Sequence, residues 1–132
     1  MKKKLLALAL LGLVLVLTAC NTGPKTAEIY VEMLDVQFRP NEFTVPAGAQ
    51  VTITARNYGL APHDFNIFKK GFDAGEAFDH ADEPNVYWKL QVAPGQMETA
   101  TFTAPTEPGK YFIACSVHSH LEDGMIATLI VK

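Results

Sequence analysis

The stretch Val51-Thr52-Ile53-Thr54-Ala55-Arg56-Asn57 alternates apolar and polar side chains along its length. A period of two is typical of a β-strand that buries one face. The same signal recurs at 29–33, 88–92, 97–104 and 111–117, and a near-continuous apolar run covers 126–131. Pro-Gly turn signals separate these segments at 46–48, 93–95 and 107–109. The pattern predicts an all-β, antiparallel Greek-key β-sandwich of about seven to eight strands.

One segment departs from this pattern. Residues 69–86 are polar, carry five acidic side chains and include two glycines. We expect a long surface excursion there, with at most a short helical turn.

The amino terminus has the pattern of an export signal. Lys2, Lys3 and Lys4 precede an apolar run of thirteen residues, 5–17, which is shorter than the roughly twenty that a membrane-spanning helix needs. The following Leu17-Thr18-Ala19-Cys20 resembles the lipobox of bacterial lipoproteins, which implies cleavage before Cys20 and lipid attachment to its thiol. Plain secretion is the alternative. The predicted organisation is a signal peptide at 1–19, a lipidated cysteine and tether at 20–26, and one domain at 27–132.

Removal of the signal changes the charge balance. The three lysines leave, so 8 basic residues remain against 14 acidic ones, a net charge of −6. An acidic chain without a basic patch gives no support to nucleic-acid binding. If Cys20 carries lipid, Cys115 is the one remaining thiol of the two in the sequence, and no internal disulfide can form.

Soft metal-ligand types recur near the carboxyl terminus. Cys115 is followed by a histidine three residues later, His118, another five residues later, His120, and Met125 ten residues later. Upstream, His63 follows Pro62 after the strand 51–57. Thiolate, thioether and two imidazoles together favour copper and electron transfer. A buried, inert Cys115 and a core Met125 are the simpler alternatives.

The spacing and surroundings resemble the cupredoxin family, the type 1 or blue copper proteins. The resemblance extends to Phe38-Arg39-Pro40, to Phe43-Thr44-Val45-Pro46-Ala47-Gly48 and to Asn57. It implies one copper ion bound by His63, Cys115, His120 and Met125, because the family commonly places the ligand histidine five residues before the methionine. His118 and Ser119 stand where many members have proline and glycine.

Two further details concern the same loop. A binuclear copper centre would require a second cysteine four residues after Cys115, where this chain has Ser119. Asp64, next to His63, is expected either to accept a hydrogen bond from a loop amide and join the two ligand segments or to be solvated.

The predicted function is that of a membrane-tethered one-electron carrier between redox protein partners, with no enzymatic turnover. A copper-binding or copper-delivery lipoprotein that does not shuttle electrons is the alternative. We expect a monomer in the cell envelope, exported and lipid-anchored, either periplasmic or on the outer face of the cytoplasmic membrane.

Overall fold

The computed structural model describes residues 23–132, which form nine strands and one short 3-10 helix. The predicted signal peptide and lipidated Cys20 lie outside the described residues. The strands are β1 (Thr26–Leu34), β2 (Gln37–Arg39), β3 (Glu42–Val45), β4 (Gln50–Asn57), β5 (His63–Phe68), β6 (Val86–Val92), β7 (Met97–Thr103), β8 (Gly109–Ala114) and β9 (Ile126–Val131). Within residues 23–132, no helix has the length and apolar character needed to cross a membrane.

The strands form two packed sheets. Sheet A has the order β2-β1-β4-β7 and sheet B the order β3-β9-β8-β5-β6. The alternation along β4 buries Val51, Ile53 and Ala55 completely, because these side chains point from sheet A into the space between the sheets. Trp88 of β6 stacks on Phe102 of β7, with ring centroids 4.7 Å apart, and links an edge strand of each sheet. The predicted all-β sandwich is confirmed.

The sheets are mixed, whereas the sequence pattern predicted antiparallel pairing. β1 pairs with β4 in parallel, and β3 pairs with β9 in parallel. The physical reason is that β2 and β3 belong to different sheets. The chain therefore crosses from sheet A to sheet B after β2 and comes back to sheet A at β4, which runs in the same direction as β1.

The structure has nine strands, whereas the sequence pattern predicted seven to eight. β2 has three residues, which are too few to show the alternation of apolar and polar side chains.

The segment 69–86, predicted to be a surface excursion, also packs apolar side chains against sheet B. Most of it is irregular and one 3-10 helix covers Glu83–Asn85. Ala74 is nevertheless buried, and Phe78 packs edge-on against Phe68 with ring centroids 5.9 Å apart. These side chains cover the outer face of sheet B together with Leu121 of the predicted ligand loop. The segment therefore supports the loop that follows β8.

Candidate metal centre

Three strand ends bring the predicted ligands to one end of sheet B. His63 is the first residue of β5, Cys115 directly follows β8, and Met125 directly precedes β9. Because β8 is antiparallel to both β5 and β9, the start of β5, the end of β8 and the start of β9 lie at the same end of the sheet. Sheet topology alone therefore gathers residues that are 62 positions apart in the sequence.

The potential ligand atoms of His63, Cys115 and His120 all lie within 4.8 Å of one another. Nδ1 of His63 is 3.2 Å from Nδ1 of His120, which is itself 3.5 Å from Sγ of Cys115. The side chains of His63 and Cys115 are fully buried, and His120 is partly exposed. Two imidazole nitrogens and one sulfur thus converge on a common point, an arrangement that fits a copper ion.

Met125 is tied to two of these residues through the main chain. Its N–H donates to the carbonyl of His120 at 2.8 Å, and its own carbonyl accepts the N–H of Cys115 at 3.2 Å. Its side chain is completely buried. Coordination by its thioether stays a prediction.

The two loop histidines occupy different environments. His118 is exposed, whereas His120 turns back against Cys115. The intervening Ser119 has a φ of 64°, in the left-handed region, and its carbonyl accepts the N–H of Asp123 at 2.9 Å. This tight turn places the histidine five residues after Cys115, and not the one three residues after it, beside the sulfur.

Burial sets the protonation of both buried groups. It lowers the pKa of His63, with the neighbouring His120 adding to the effect, so the imidazole is held neutral with a lone pair available to a metal. Burial raises the pKa of the Cys115 thiol, against backbone hydrogen bonds from Asp64 and Val117 that lower it. Without a metal the thiol therefore keeps its proton, and metal binding would release it.

Asp64 joins the two ligand segments. Its backbone N–H donates to Sγ of Cys115 at 3.4 Å, and its carboxylate accepts a hydrogen bond from the hydroxyl of Ser116. A link between the segments was one of the two alternatives expected for Asp64, although the donor to the carboxylate is a side-chain hydroxyl and not a loop amide. The contact fixes β5 against the residue after Cys115.

Two further residues support the site: Asn57, which the family resemblance included without assigning it a role, and Asp35, which the sequence pattern did not identify. The buried side chain of Asn57 donates to the carbonyls of Ala61 and Val92 and accepts the N–H of Gly59, all within 2.9 Å. It thereby holds the loop between β4 and β5 that delivers His63. Asp35, in the turn between β1 and β2, approaches the same histidine from sheet A.

A family model for a cupredoxin-like domain matches residues 7–131. The chain belongs to the cupredoxin-like family. The resemblance predicted from the ligand loop and the strand pattern is thereby confirmed.

Named relatives agree with this membership. Auracyanin-A of Chloroflexus aurantiacus is 32% identical over 115 residues, covering 76% of this cupredoxin and 70% of the relative. Cytochrome c oxidase subunit 2 of Thermus thermophilus is 27% identical over 113 residues, covering 85% of this chain and 70% of the relative.

Solved structures show the same fold. Reduced auracyanin from Roseiflexus castenholzii superimposes with a TM-score of 0.68 at 32% identity, covering 83% of this cupredoxin and 99% of that chain. Auracyanin A from Chloroflexus aurantiacus, described as a "blue" copper protein, gives a TM-score of 0.66 at 27% identity, covering 81% and 99% of the two chains.

Proposed function

We propose that this cupredoxin carries single electrons between redox protein partners at one type 1 copper ion. His63, Cys115 and His120 would hold the ion, with Met125 as an axial ligand. The observation that carries the proposal is the convergence of two imidazole nitrogens and one buried thiol within 4.8 Å of one another. Copper bound to such a set takes up and releases one electron, because thiolate and thioether suit the reduced ion and imidazole suits both states.

The surrounding residues are arranged to hold the ligands still. His63 and Cys115 are fully buried at strand ends, and Asp64 ties their segments together. The N–H of Asp64 also directs positive charge at the Cys115 sulfur, which favours the thiolate. A ligand set held this firmly would rearrange little when the electron arrives or leaves.

His120 provides the route to a partner. Its side chain is partly exposed, whereas the side chains of His63, Cys115 and Met125 are fully buried. A partner that contacts the protein at this imidazole would therefore approach the copper more closely there than through the other three side chains.

We further propose that the protein binds a single copper ion and does not itself turn over a substrate. The relatives named cytochrome c oxidase subunit 2 belong to an enzyme complex. In this chain Ser119 occupies the position, four residues after Cys115, where a binuclear site would need its second cysteine. Auracyanin A, which is described as a "blue" copper protein, supports a site with one copper ion.

We also propose that the chain is exported and held at the membrane by lipid on Cys20. The support comes from sequence: Lys2, Lys3 and Lys4, the apolar run 5–17 and the lipobox-like Leu17-Thr18-Ala19-Cys20. Expression of a Cys20→Ser variant tests this. The variant should move from the membrane fraction to the soluble fraction, and membrane retention equal to the wild type would refute the anchor.

Visible absorption of the copper-loaded protein tests the copper site. Cys115→Ser should abolish the intense blue thiolate-to-copper band. The matched control His118→Ala should retain it, since His118 is exposed and lies away from the cluster. A blue Cys115→Ser protein would refute the ligand assignment, and a colourless His118→Ala protein would reverse the choice between the two loop histidines.

Redox cycling of the same sample separates the carrier from the copper-delivery alternative. Mild reductant should bleach the colour and oxidant should restore it, with copper bound throughout. Release of copper on reduction would instead identify a delivery protein.

A further inference from the structure

His63 has a second ring nitrogen that the metal site leaves unused. Nδ1 faces His120, so Nε2 points away from the cluster, toward the end of sheet A. The side chain is completely buried, and Nε2 has no hydrogen-bond partner among the described residues. A buried ring nitrogen without a partner is unfavourable and points to an interaction that is completed in another state of the protein.

One carboxylate faces this nitrogen. Oδ1 of Asp35 lies 3.8 Å from Nε2 of His63, beyond hydrogen-bond distance but close enough for a small movement to form the bond. Asp35 is held nearby because the same oxygen accepts the N–H of Leu60 at 3.0 Å. The nearby Asn57 is less suited to be the acceptor, since its side-chain oxygen already accepts the N–H of Gly59.

The turn that carries Asp35 toward His63 has an unusual backbone conformation. Asp35 and Val36 form the two-residue turn between β1 and β2, and Val36 has a φ of 56°. A β-branched residue rarely adopts this left-handed conformation. Strain of this kind persists where the surrounding structure enforces it, often beside functional groups.

Gly59 leaves the path between the two side chains open. A Cβ added at Gly59 would come within 2.6 Å of Nε2 of His63 and closer still to Oδ1 of Asp35. Any other residue at this position would therefore have to push the carboxylate or the imidazole aside. The glycine allows the main chain to pass directly over the gap.

We propose that Asp35 is a positioning residue that accepts the Nε2–H of His63 in the copper-loaded protein. The inference rests on the proposed copper site. With the proton held on Nε2, the lone pair of Nδ1 faces the metal and the ring orientation is fixed, as in the carboxylate–histidine–metal arrangements of other proteins. The movement needed is about 1 Å, from 3.8 Å to the usual distance of a charge-assisted bond. The Asp35 side chain is 59% exposed, so a shift of this size needs no repacking of the core.

Two substitutions and a matched control test the role. Asp35→Ala removes the acceptor, whereas Asp35→Asn keeps an oxygen for both Leu60 and His63 but removes the charge. Glu28→Gln removes one exposed carboxylate from β1, the strand that precedes the turn with Asp35, away from the site. We expect Asp35→Ala to weaken Cu(I) binding about 10- to 100-fold in competition with a chromogenic chelator, with a smaller loss in Asp35→Asn and no change in Glu28→Gln.

Two readouts distinguish positioning from a purely structural role through Leu60. In the Cu(I)-loaded, ¹⁵N-labelled protein, the Nε2–H proton of His63 should resonate strongly downfield. It should move upfield in Asp35→Asn and further in Asp35→Ala. The reduction potential should rise in Asp35→Asn more than in Glu28→Gln, because a nearby negative charge favours the oxidised ion.

The outcomes separate this proposal from the copper assignment. An unchanged Nε2–H resonance in Asp35→Ala, or equal copper affinity in all four proteins, would overturn the role of Asp35 while a blue wild type leaves the copper site standing. A wild type that binds no copper at His63 and Cys115 would overturn both.

Discussion

At the scale of single residues, two non-glycine residues near the metal centre have a positive φ, which is unfavourable for a residue with a side chain. Val36 and Ser119 are the non-glycine residues with positive φ in the described part of the chain. Val36 lies in the turn that carries Asp35, and Ser119 lies in the turn that carries His120. Neither is a glycine, the residue that adopts this conformation most readily. The surrounding structure, and not the intrinsic preference of the turn residues, therefore keeps both turns in this conformation.

Replacement of Val36 by glycine should stabilise the protein. The left-handed conformation costs an L-residue roughly 1–2 kcal/mol, and the greater freedom of glycine in the unfolded chain offsets part of that gain. We expect the free energy of unfolding in urea to rise by about 0.5–1 kcal/mol. The same substitution at Val86, where φ is −72°, should lower it. A Val36→Gly variant that loses as much stability as Val86→Gly would show that the turn is unstrained.

The buried imidazole of His63 should make the copper-free protein sensitive to acid. Burial lowers the pKa of His63 below its unfolded value of about 6.5. The unfolded chain therefore binds more protons than the folded one as the pH falls through that value, so this contribution to stability is present above about pH 6.5 and is lost below it. The slope from one such group is at most about 1.4 kcal/mol per pH unit.

Urea unfolding of the copper-free protein at pH 7.5 and 5.5 measures this effect. His63→Gln should be less sensitive to the change of pH than the wild type, whereas His80→Gln should behave as the wild type, because the His80 side chain is 94% exposed. Equal pH sensitivity in the wild type and His63→Gln would exclude His63 as the source.

At the scale of elements, the corner before β8 is fixed by a tyrosine. The Tyr111 hydroxyl donates to the backbone carbonyl of Glu107 at 2.7 Å, and its side chain is 3% exposed. This bond joins β8, the strand directly before Cys115, to the turn that precedes it. β8 therefore begins at a defined residue, which sets where its far end presents the thiol.

Loss of this hydroxyl should weaken the fold measurably. Tyr111→Phe removes one part-buried hydrogen bond, which should lower the free energy of unfolding by about 1 kcal/mol. Tyr87→Phe is a matched control, since the Tyr87 hydroxyl donates to the carbonyl of Thr103 at 2.8 Å from a side chain that is 42% exposed. Water can replace that bond, so its loss should cost less. Equal costs in the two variants would contradict a special role for the buried corner.

At the scale of the whole molecule, the metal centre depends on the assembly of both sheets. Sheet B supplies His63, Cys115 and Met125 from three strand ends. Sheet A supplies Asp35, which faces the outer nitrogen of His63. In the unfolded chain these groups are far apart, so the site exists only when the sandwich is complete.

Copper should therefore stabilise the folded protein strongly. A ligand bound by the folded state alone adds about 4 kcal/mol to the free energy of unfolding at a concentration 1,000 times its Kd. We expect anaerobic Cu(I) to raise the urea midpoint of the wild type and to raise that of His63→Gln much less. An equal shift in both proteins would indicate copper bound elsewhere.

The sequence by itself determined the all-β class, the turns and the types of ligand. These features depend on spacing within short segments: alternation along 51–57 marks a strand, and the distances from Cys115 to His120 and Met125 lie within one loop. A local pattern is sufficient because side chains two residues apart share a strand face and a short loop can only close in a few ways.

Only the tertiary structure decided the parallel pairing of β1 with β4, the packing of 69–86 and the approach of Asp35 to His63. Asp35 is an ordinary turn residue in the sequence, and 28 positions separate it from the histidine. Asp35 approaches His63 because the turn between β1 and β2 in sheet A lies beside the start of β5 in sheet B. Such contacts follow from how layers pack, which short-range periodicity does not encode.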